Sequence, residues 1–248
     1  MTTTPLVCTV SIVLGTALSS CSSSSGGSSS AAAQAPAASA VNTLTTAEQA
    51  TGWKLLFDGR TTDGWRGYKQ TSVPSGWQVV DGALTRAGEG GDIVTTQTFK
   101  NFELSLEWKI AAGGNSGVFY RASEDDDAIY WTAPEMQVLD DARHADGKSR
   151  LTAAGADYGL YPAPAGIVKP AGEWNQARVI VNGRHVEHWL NGVRMLQYEL
   201  LSPDWEMRVQ GSKFAPHARY GRNAEGYIGL QDHGDWVAYR SIKIRVLP

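Results

Sequence analysis

Short runs of alternating polar and apolar residues, separated by glycine, asparagine and aspartate, follow one another along the chain from residue 53 onward. Alternation with a period of two is typical of strands that bury one face, and frequent turn residues join such strands into antiparallel sheets. Eight runs are predicted strands: 77–85, 102–110, 116–122, 134–140, 177–183, 185–192, 226–233 and 238–247. The pattern predicts an all-β fold, an antiparallel two-sheet β-sandwich.

Two tight turns and one helix are predicted within this pattern. The Asn-Gly pairs at 182–183 and 191–192 tolerate positive φ angles and predict β-hairpins, the second leading into a further strand, VRMLQYEL. Residues 202–209, SPDWEMRV, predict a short helix, because Ser202 can cap its N-terminus and Pro203 fits the first helical position.

The N-terminus has the composition of a targeting segment. An apolar run at 6–18 is too short to be a comfortable membrane span. It ends in LSSC at 18–21, which resembles the lipobox of bacterial lipoproteins, so we predict a signal peptide at 1–20 and a lipid on Cys21. No Lys or Arg precedes the apolar run, so a plain secretory signal and a mis-assigned start codon are the alternatives. The lipobox predicts a lipoprotein of the cell envelope, on the outer membrane or the periplasmic side, that meets the membrane through its anchor only.

A flexible tether and a single domain are predicted to follow the anchor. Residues 21–48 are rich in Ser, Ala and Gly and can bury little apolar area. The domain at 49–248 has no cysteine and must depend on its hydrophobic core, which a domain of about 200 residues can supply. The net charge of −3 and the lack of a basic stripe argue against nucleic acid as a partner.

The run PEMQVLD at 134–140 carries the most informative polar residues. In a strand, Glu135 and Gln137 share one face, whereas Asp140 is out of phase unless the strand carries a bulge. Glu135 is a predicted site residue, because a carboxylate within a strand that otherwise resembles a core strand is more readily explained by a function than by packing. The spacing also resembles the Glu-x-Asp-x-x-Glu strand of laminarinase- and lichenase-type glycosidases, in which a bulge brings two carboxylates onto the concave face. A retaining pair of Glu135 and Asp140 is therefore an alternative.

Two other strands place polar side chains where they can join Glu135 on one sheet face. In NSGVFYRA, Asn115 and Arg121 share a face, and in GLQDHG the same holds for Gln231 and His233. If these strands are neighbours of 134–140, the face collects amides, a carboxylate, an arginine and a histidine. The aromatic residues of the chain add surfaces on which sugar rings can stack.

Ordinary structural roles are the alternatives for several charged residues. Glu103 and Glu107 share a face that is expected to be a solvated outer surface, and Arg121 could form an ion pair with one of them. His233 could order a turn. The acidic run SEDDDA at 123–128 has loop composition and is expected to be solvated, although it could also gather a hard cation.

Taken together, the runs resemble one family, in the same order, over nearly all of residues 52–247. They are GWKLLFDGRTTDGW (52–65), FELSLEWKIAAGGNSGVFYR (102–121), PEMQVLD, KPAGEWNQARVIVNGRHVEHWLNG (169–192), GSKF (211–214) and GYIGLQDHG with VAYRSIKI. The family is the 3-keto-disaccharide hydrolase domain, and the resemblance implies a concanavalin A-like jelly roll. Where the family usually has Glu-Tyr-Gln, this chain has Glu-Met-Gln at 135–137, so the two residues of the site face remain. Its GADYGLYP at 155–162 departs from the Gly-Ala-(Leu)-Tyr run of typical members.

The resemblance implies substrates whose C3 hydroxyl has been oxidised to a ketone, and therefore an oxidoreductase partner that supplies them. A C3 ketone acidifies the C2 proton and places the C1–O bond β to the carbonyl. A base can then remove that proton and expel the aglycone, and water can add back. The expected function is hydrolysis of 3-keto-glycosides or 3-keto-disaccharides by elimination across C1–C2 and rehydration.

This chemistry needs a base, an electrophile for the enolate oxygen and an acid for the leaving group. The expected catalytic residues are Glu135 (base or metal ligand), His233 (acid/base), and Arg121 and Lys213 (electrophiles). The residues expected to orient the sugar are Asn115, Gln137, Asp140 and Gln231. The sequence specifies no cofactor, and a divalent metal is left open. A conventional retaining glycoside hydrolase and a non-catalytic glycan-binding module are the alternatives, because the same fold serves both.

Overall fold

The computed structural model describes residues 1–2 and 40–248. The chain divides into two units between residues 37 and 38, and the fold below is that of the second. The predicted signal peptide, Cys21 and most of the predicted tether lie outside the described residues. Within the described residues, no helix has both the length and the apolar character needed to cross a membrane.

The described residues form strands joined by turns, with few helices. The strands are β1 (Trp53–Leu55), β2 (Trp65–Gly67), β3 (Trp77–Val80), β4 (Ala83–Arg86), β5 (Ile93–Thr95), β6 (Phe102–Ile110), β7 (Asn115–Ala122), β8 (Glu135–Leu139), β9 (Asn175–Asn182), β10 (His185–Leu190), β11 (Val193–Glu199), β12 (Tyr227–Leu230) and β13 (Val237–Val246). The α-helices are α1 (Thr46–Ala50) and α2 (Pro203–Gln210), and single 3-10 turns occur at Ile129–Trp131 and Ala145–Lys148.

The strands pair into two antiparallel sheets, which confirms the predicted sandwich. The larger sheet has the order β11-β10-β9-β6-β13-β4-β3, with β1 also paired to β13. The smaller sheet has the order β2-β5-β12-β7-β8. Side chains from both sheets form one large core, to which Phe102 and Trp108 of β6 and Tyr120 of β7 contribute fully buried rings. Burying a side chain of this size contributes about 1.5–3 kcal/mol, so this core can hold the domain together without disulfides.

The helix and one hairpin agree with the sequence prediction. Ser202 caps α2, and its side chain accepts a hydrogen bond from the backbone N–H of Trp205. Asn191 and Gly192 both have positive φ angles at the turn between β10 and β11, as a two-residue hairpin of this type requires.

Two turns differ from the prediction. The run 77–85 is a hairpin, not one strand, because Asp81 and Gly82 both adopt positive φ and reverse the chain between β3 and β4. The other hairpin, between β9 and β10, is shifted by one residue. Asn182 pairs with His185, so the turn is centred one position later than the Asn-Gly pair.

The folded unit begins before residue 49, where the tether was predicted to end. The side chain of Asn42 donates to the carbonyl of Gly82 and accepts from the backbone N–H of Ser241. Thr45 and Glu48 form a reciprocal capping box at the start of α1. The polar residues of this segment form caps and turns. A flexible tether has a similar composition, so composition alone does not distinguish the two.

Candidate active site

The floor of the candidate site is the face of the smaller sheet that points away from the core. In β8, Met136 and Val138 enter the core, so Glu135 and Gln137 point to the opposite face. β7 and β8 pair in regular register, with Gly117 opposite Gln137. The predicted alternation along this strand therefore places two of the expected site residues side by side.

A cleft of about 380 Å³ lies over this floor. Its walls are contributed by loops as well as by the sheet. The lining residues are Asp92, Asn115, Tyr130, Trp131, Glu135, Gln137, Tyr158, Lys213, Gln231, Asp232 and His233. Six residues singled out from the sequence therefore meet in one cleft: Asn115, Glu135, Gln137, Lys213, Gln231 and His233.

Glu135 is a buried carboxyl without a hydrogen-bond partner among the described residues. Glu135 is only 5% exposed, and burial raises the pKa of its carboxyl to about 8. The opposing charge of Lys213 limits this rise in pKa. A carboxyl that is buried, unpaired and open to a cleft has the properties of a general base or acid rather than of a structural ion-pair residue.

Gly117 leaves the space in which the Glu135 side chain lies. A Cβ at Gly117 would stand 2.7 Å from Cδ of Glu135, closer than non-bonded carbon atoms can approach. The absence of a side chain on β7 therefore allows the carboxyl to lie flat across the sheet.

We expect Gly117→Ala to lower the catalytic rate about 100-fold or more by displacing Glu135, since small misplacements of catalytic groups cost this much. The change is tested by comparing steady-state rates and melting curves of the variant and the wild type. Gly166→Ala is the matched control, because a Cβ there would meet no atom within 4 Å, although its positive φ adds strain. A Gly117→Ala enzyme with wild-type rate would show that the position of Glu135 does not matter.

Lys213 lies on the solvent-exposed rim of the cleft, above aromatic rings. Its Nζ is 4.4 Å from the ring centroid of Tyr158 and 5.6 Å from that of Tyr130. Loss of hydration lowers the pKa of the ammonium, and the nearby carboxyl of Glu135 opposes this shift. Within the described chain the ammonium has no ion-pair partner within 4 Å, so its N–H groups are free to bind a ligand oxygen.

Three buried amides add unpaired acceptors to the floor of the cleft. Oδ1 of Asn115, Oε1 of Gln137 and Oε1 of Gln231 have no hydrogen-bond partner among the described residues, although each residue is at most 8% exposed. Gln137 is oriented by its Nε2, which donates to the carbonyl of Thr152. Buried polar atoms are almost always paired, so these three oxygens are available to accept hydrogen bonds from water or from ligand hydroxyl groups.

The aromatic wall is held in place by the acidic loop. Trp131 stacks on His217 with ring centroids 3.8 Å apart, and Nδ1 of His217 lies 3.2 Å from Oδ2 of Asp126. Glu124 of the same run forms an ion pair with Arg66 at 2.6 Å. The expected solvation of the run 123–128 therefore holds for Asp125 and Asp127, which are exposed, while Glu124 and Asp126 are held by ion pairs. Within residues 40–248, no group of three or more His, Cys, Asp or Glu side chains is arranged to hold a metal ion.

Two carboxylates near His233 were not anticipated from the sequence. Asp92 lies in the wall, accepts a hydrogen bond from the backbone N–H of Asp232, and has a pKa raised to about 6 by burial. Asp232 instead pairs with Arg86 at 2.7 Å, which fixes the loop that carries His233. His233 is exposed at the mouth of the cleft, with the ring of His144 perpendicular to it at 6.4 Å.

The other unanticipated residues of the cleft are aromatic. Tyr130, Trp131 and Tyr158 lie outside the predicted strands, where periodicity carries no information. The adjacent Tyr-Trp pair after the acidic run is the sequence signal that could have indicated an aromatic wall.

Arg121 does not lie in the cleft, contrary to the sequence prediction. Its positive φ of 51° interrupts the alternation near the end of β7, and the pairing with β12 shifts register at the same point. Its guanidinium donates from Nε and Nη2 to the carbonyl of Lys100, at 2.9 and 2.7 Å. The bulge therefore directs this side chain to another part of the surface, and Arg121 is not the electrophile of this site.

Asp140 is also absent from the cleft lining. β8 pairs without a register shift and ends at Leu139, so the bulge that would have brought Asp140 into phase does not occur. Its carboxylate instead accepts from the backbone N–H groups of Gly113, at 2.8 Å, and Ala142, at 3.2 Å. Asp140 orders a turn, which removes the sugar-binding role and the second carboxylate of the retaining pair.

Glu103 and Glu107 belong to the larger sheet and pair with arginines. Glu103 contacts Arg178 at 3.1 Å and also pairs with Arg245, while Glu107 contacts Arg240 at 2.9 Å. The expected solvated face is confirmed only in part, because Glu107 is partly exposed whereas Glu103 is only 6% exposed. Arg121 is not a partner of either glutamate.

Comparison with known proteins identifies relatives over most of the chain. The model of the 3-keto-alpha-glucoside-1,2-lyase-like domain matches residues 52–245. A 3-keto-disaccharide hydrolase of Bacteroides thetaiotaomicron is 40% identical, over 85% of this chain and 83% of that protein. A solved structure from Parabacteroides distasonis, provisionally assigned as a glycosyl hydrolase, is 36% identical with a TM-score of 0.79, over 84% of this chain and all of that one. The chain belongs to the family of 3-keto-alpha-glucoside-1,2-lyase-like domains.

Proposed function

We propose that this enzyme, a carbohydrate hydrolase like its 40% identical relative, cleaves 3-keto-glycosides by elimination across C1–C2 followed by rehydration. The observation that carries the proposal is Glu135, a buried and unpaired carboxyl in a polar cleft. The second carboxylate that direct displacement at C1 would use is not supplied by Asp140, which is bound to backbone N–H groups. The description of the family as lyase-like also supports an elimination.

In the first step, the ionised Glu135 takes the proton from C2 of the sugar. The electrons form the C2–C3 enolate, whose oxygen accepts a hydrogen bond from the ammonium of Lys213. The C1–O bond then breaks as the C1–C2 double bond forms, and the departing oxygen takes a proton from His233. These roles match the cleft, in which a buried carboxyl, an unpaired ammonium and an imidazole line one volume.

In the second step, water is added across the C1–C2 double bond that the first step formed. Water adds to C1 of the enone, and His233 accepts the proton of that water. Glu135 lines the open cleft, so its carboxyl proton exchanges with solvent once the aglycone has left, and the carboxyl then gives a solvent-derived proton to C2. The amides of Asn115, Gln137 and Gln231 would hold the sugar hydroxyls through both steps. The net change is hydrolysis, with a 3-keto sugar and a free aglycone as products.

We expect purified protein to cleave a 3-keto-disaccharide and to leave the unoxidised parent disaccharide intact, because the C2 proton of the parent lacks the acidifying ketone. Product formation is measured by chromatography with both substrates at equal concentration. Cleavage of the parent would favour a conventional glycoside hydrolase. Saturable binding of either sugar without cleavage would favour a glycan-binding module.

Lipid attachment at Cys21, a location in the cell envelope and a separate oxidoreductase that supplies the 3-keto sugar stay predictions. They are compatible with this chemistry, which needs an oxidised sugar made elsewhere.

A further inference from the structure

A second pocket, of about 430 Å³, lies around the far end of β7. It is lined by Lys100, Asn101, Arg121, Gly183, Arg184, Leu200, Leu201, Gly221, Arg222, Asn223 and Ala224. Asn115, which faces the candidate active site, is six residues from Arg121 along the strand, a separation of about 20 Å for extended backbone. The two volumes share no lining residue and are separate sites.

The charge of this second pocket is strongly unbalanced. Four of its lining residues are cationic and none is acidic. Only Arg222 has an ion-pair partner among the described residues, a bidentate contact with Glu206. Lys100, Arg121 and Arg184 have no carboxylate within 4 Å in the described part of the chain. Three uncompensated cations around one concave surface produce a positive potential that attracts anions.

Arg121 is the buried member of this set. The residue is 6% exposed, and its Nη1 makes no hydrogen bond to any described residue, while Nε and Nη2 are fixed on the carbonyl of Lys100. Buried arginines are almost always paired with an anion. Desolvation lowers the pKa of this guanidinium, in keeping with a charge that has no counter-ion in the protein. A rigid, buried guanidinium with a free N–H edge is suited to carboxylate or phosphate oxygens.

We propose that this pocket binds a small molecule in which a carboxylate or phosphate group adjoins an apolar portion. The oxyanion would contact Arg121, with Lys100 and Arg184 at the rim, and the apolar portion would lie against Leu200 and Leu201. The proposal goes beyond the reaction at Glu135 and does not depend on it.

The test is isothermal titration calorimetry with phenyl phosphate, and with benzyl alcohol as the uncharged comparison. We expect the wild type to bind phenyl phosphate and not benzyl alcohol. The double variant Lys100→Glu/Arg184→Glu should lose at least about tenfold in affinity, because it replaces two attractive charges by two repulsive ones. Both positions are exposed, so the variant should fold, and a melting curve verifies this.

The matched control is Lys54→Glu/Arg60→Glu, which makes the same change in net charge at exposed positions outside the pocket. It should keep the affinity within about twofold. The absence of measurable binding to the wild type would overturn the proposal, as would equal losses in the two double variants. A loss on Lys213→Met with none in the Lys100→Glu/Arg184→Glu protein would place the anion in the other cleft and would also overturn it.

Discussion

Replacing Glu135 with Gln is expected to lower kcat on a 3-keto-disaccharide by about 100-fold or more, the usual cost of removing a general base. Gln keeps the size of the side chain and cannot accept the C2 proton. The cleft retains Lys213, His233 and its amides, so substrate binding should change much less than the rate. Steady-state kinetics and direct binding measurements on the same preparation separate these two effects.

Stability provides the control for this variant. In the folded protein, burial raises the pKa of Glu135 to about 8, whereas in the unfolded chain this carboxyl has its ordinary pKa of 4.5. The folded state therefore binds the proton more tightly, and the stability that this provides is present below pH 4.5 and is lost as pH rises toward 8. Because Gln has no proton to lose, the melting temperature of the variant at pH 8 should equal or exceed that of the wild type. A destabilised variant with an unchanged rate per folded molecule would identify Glu135 as a structural residue.

Replacing Lys213 with Met is expected to lower kcat by about 100-fold, because removal of one donor to an oxyanion typically costs this much. A second effect follows from charge. Lys213 lowers the pKa of Glu135, so its removal should raise that pKa above about 8 and move the acidic limb of the kcat/KM profile to higher pH. The profile measured between pH 6 and 10 tests both effects at once.

Lys213→Arg is the matched comparison, because it keeps the positive charge and the N–H donors. The Arg variant should retain the position of the acidic limb and lose less activity than the Met variant. If Met leaves both the rate and the limb unchanged, Lys213 neither holds the enolate nor influences Glu135.

Side-chain alternation predicted the floor of the cleft because β8 is regular. A strand without a bulge sends every second side chain to the same face, so the positions of Glu135 and Gln137 follow from the sequence alone. That β7 and β12 lie beside β8 in one sheet stayed a condition in the sequence analysis, because strand pairing depends on distant parts of the chain. The antiparallel sandwich itself follows from the many short alternating runs.

Two predicted site residues, Arg121 and Asp140, do not line the cleft, and in both cases the local backbone geometry is the reason. The positive φ of Arg121 breaks the alternation of β7, and no feature of the sequence NSGVFYRA reveals that bulge. Asp140 would have faced the cleft only if β8 carried a bulge, and β8 pairs without one. The strands β1, β2 and β5 have three residues each, too few to show a period. Asp92 precedes one of these strands, and for this reason the sequence did not indicate it as a wall residue.

The central claim is that the C2 hydrogen leaves the sugar as a proton, and exchange with solvent tests it most directly. A 3-keto-disaccharide is incubated with the enzyme in D₂O, and the 3-keto product is analysed by mass spectrometry and NMR against a sample without enzyme. Elimination and rehydration predict deuterium at C2 well above the background enolisation, with loss of this incorporation in the Glu135→Gln variant. A product that carries only hydrogen at C2, formed at the full enzymatic rate, would contradict the elimination mechanism.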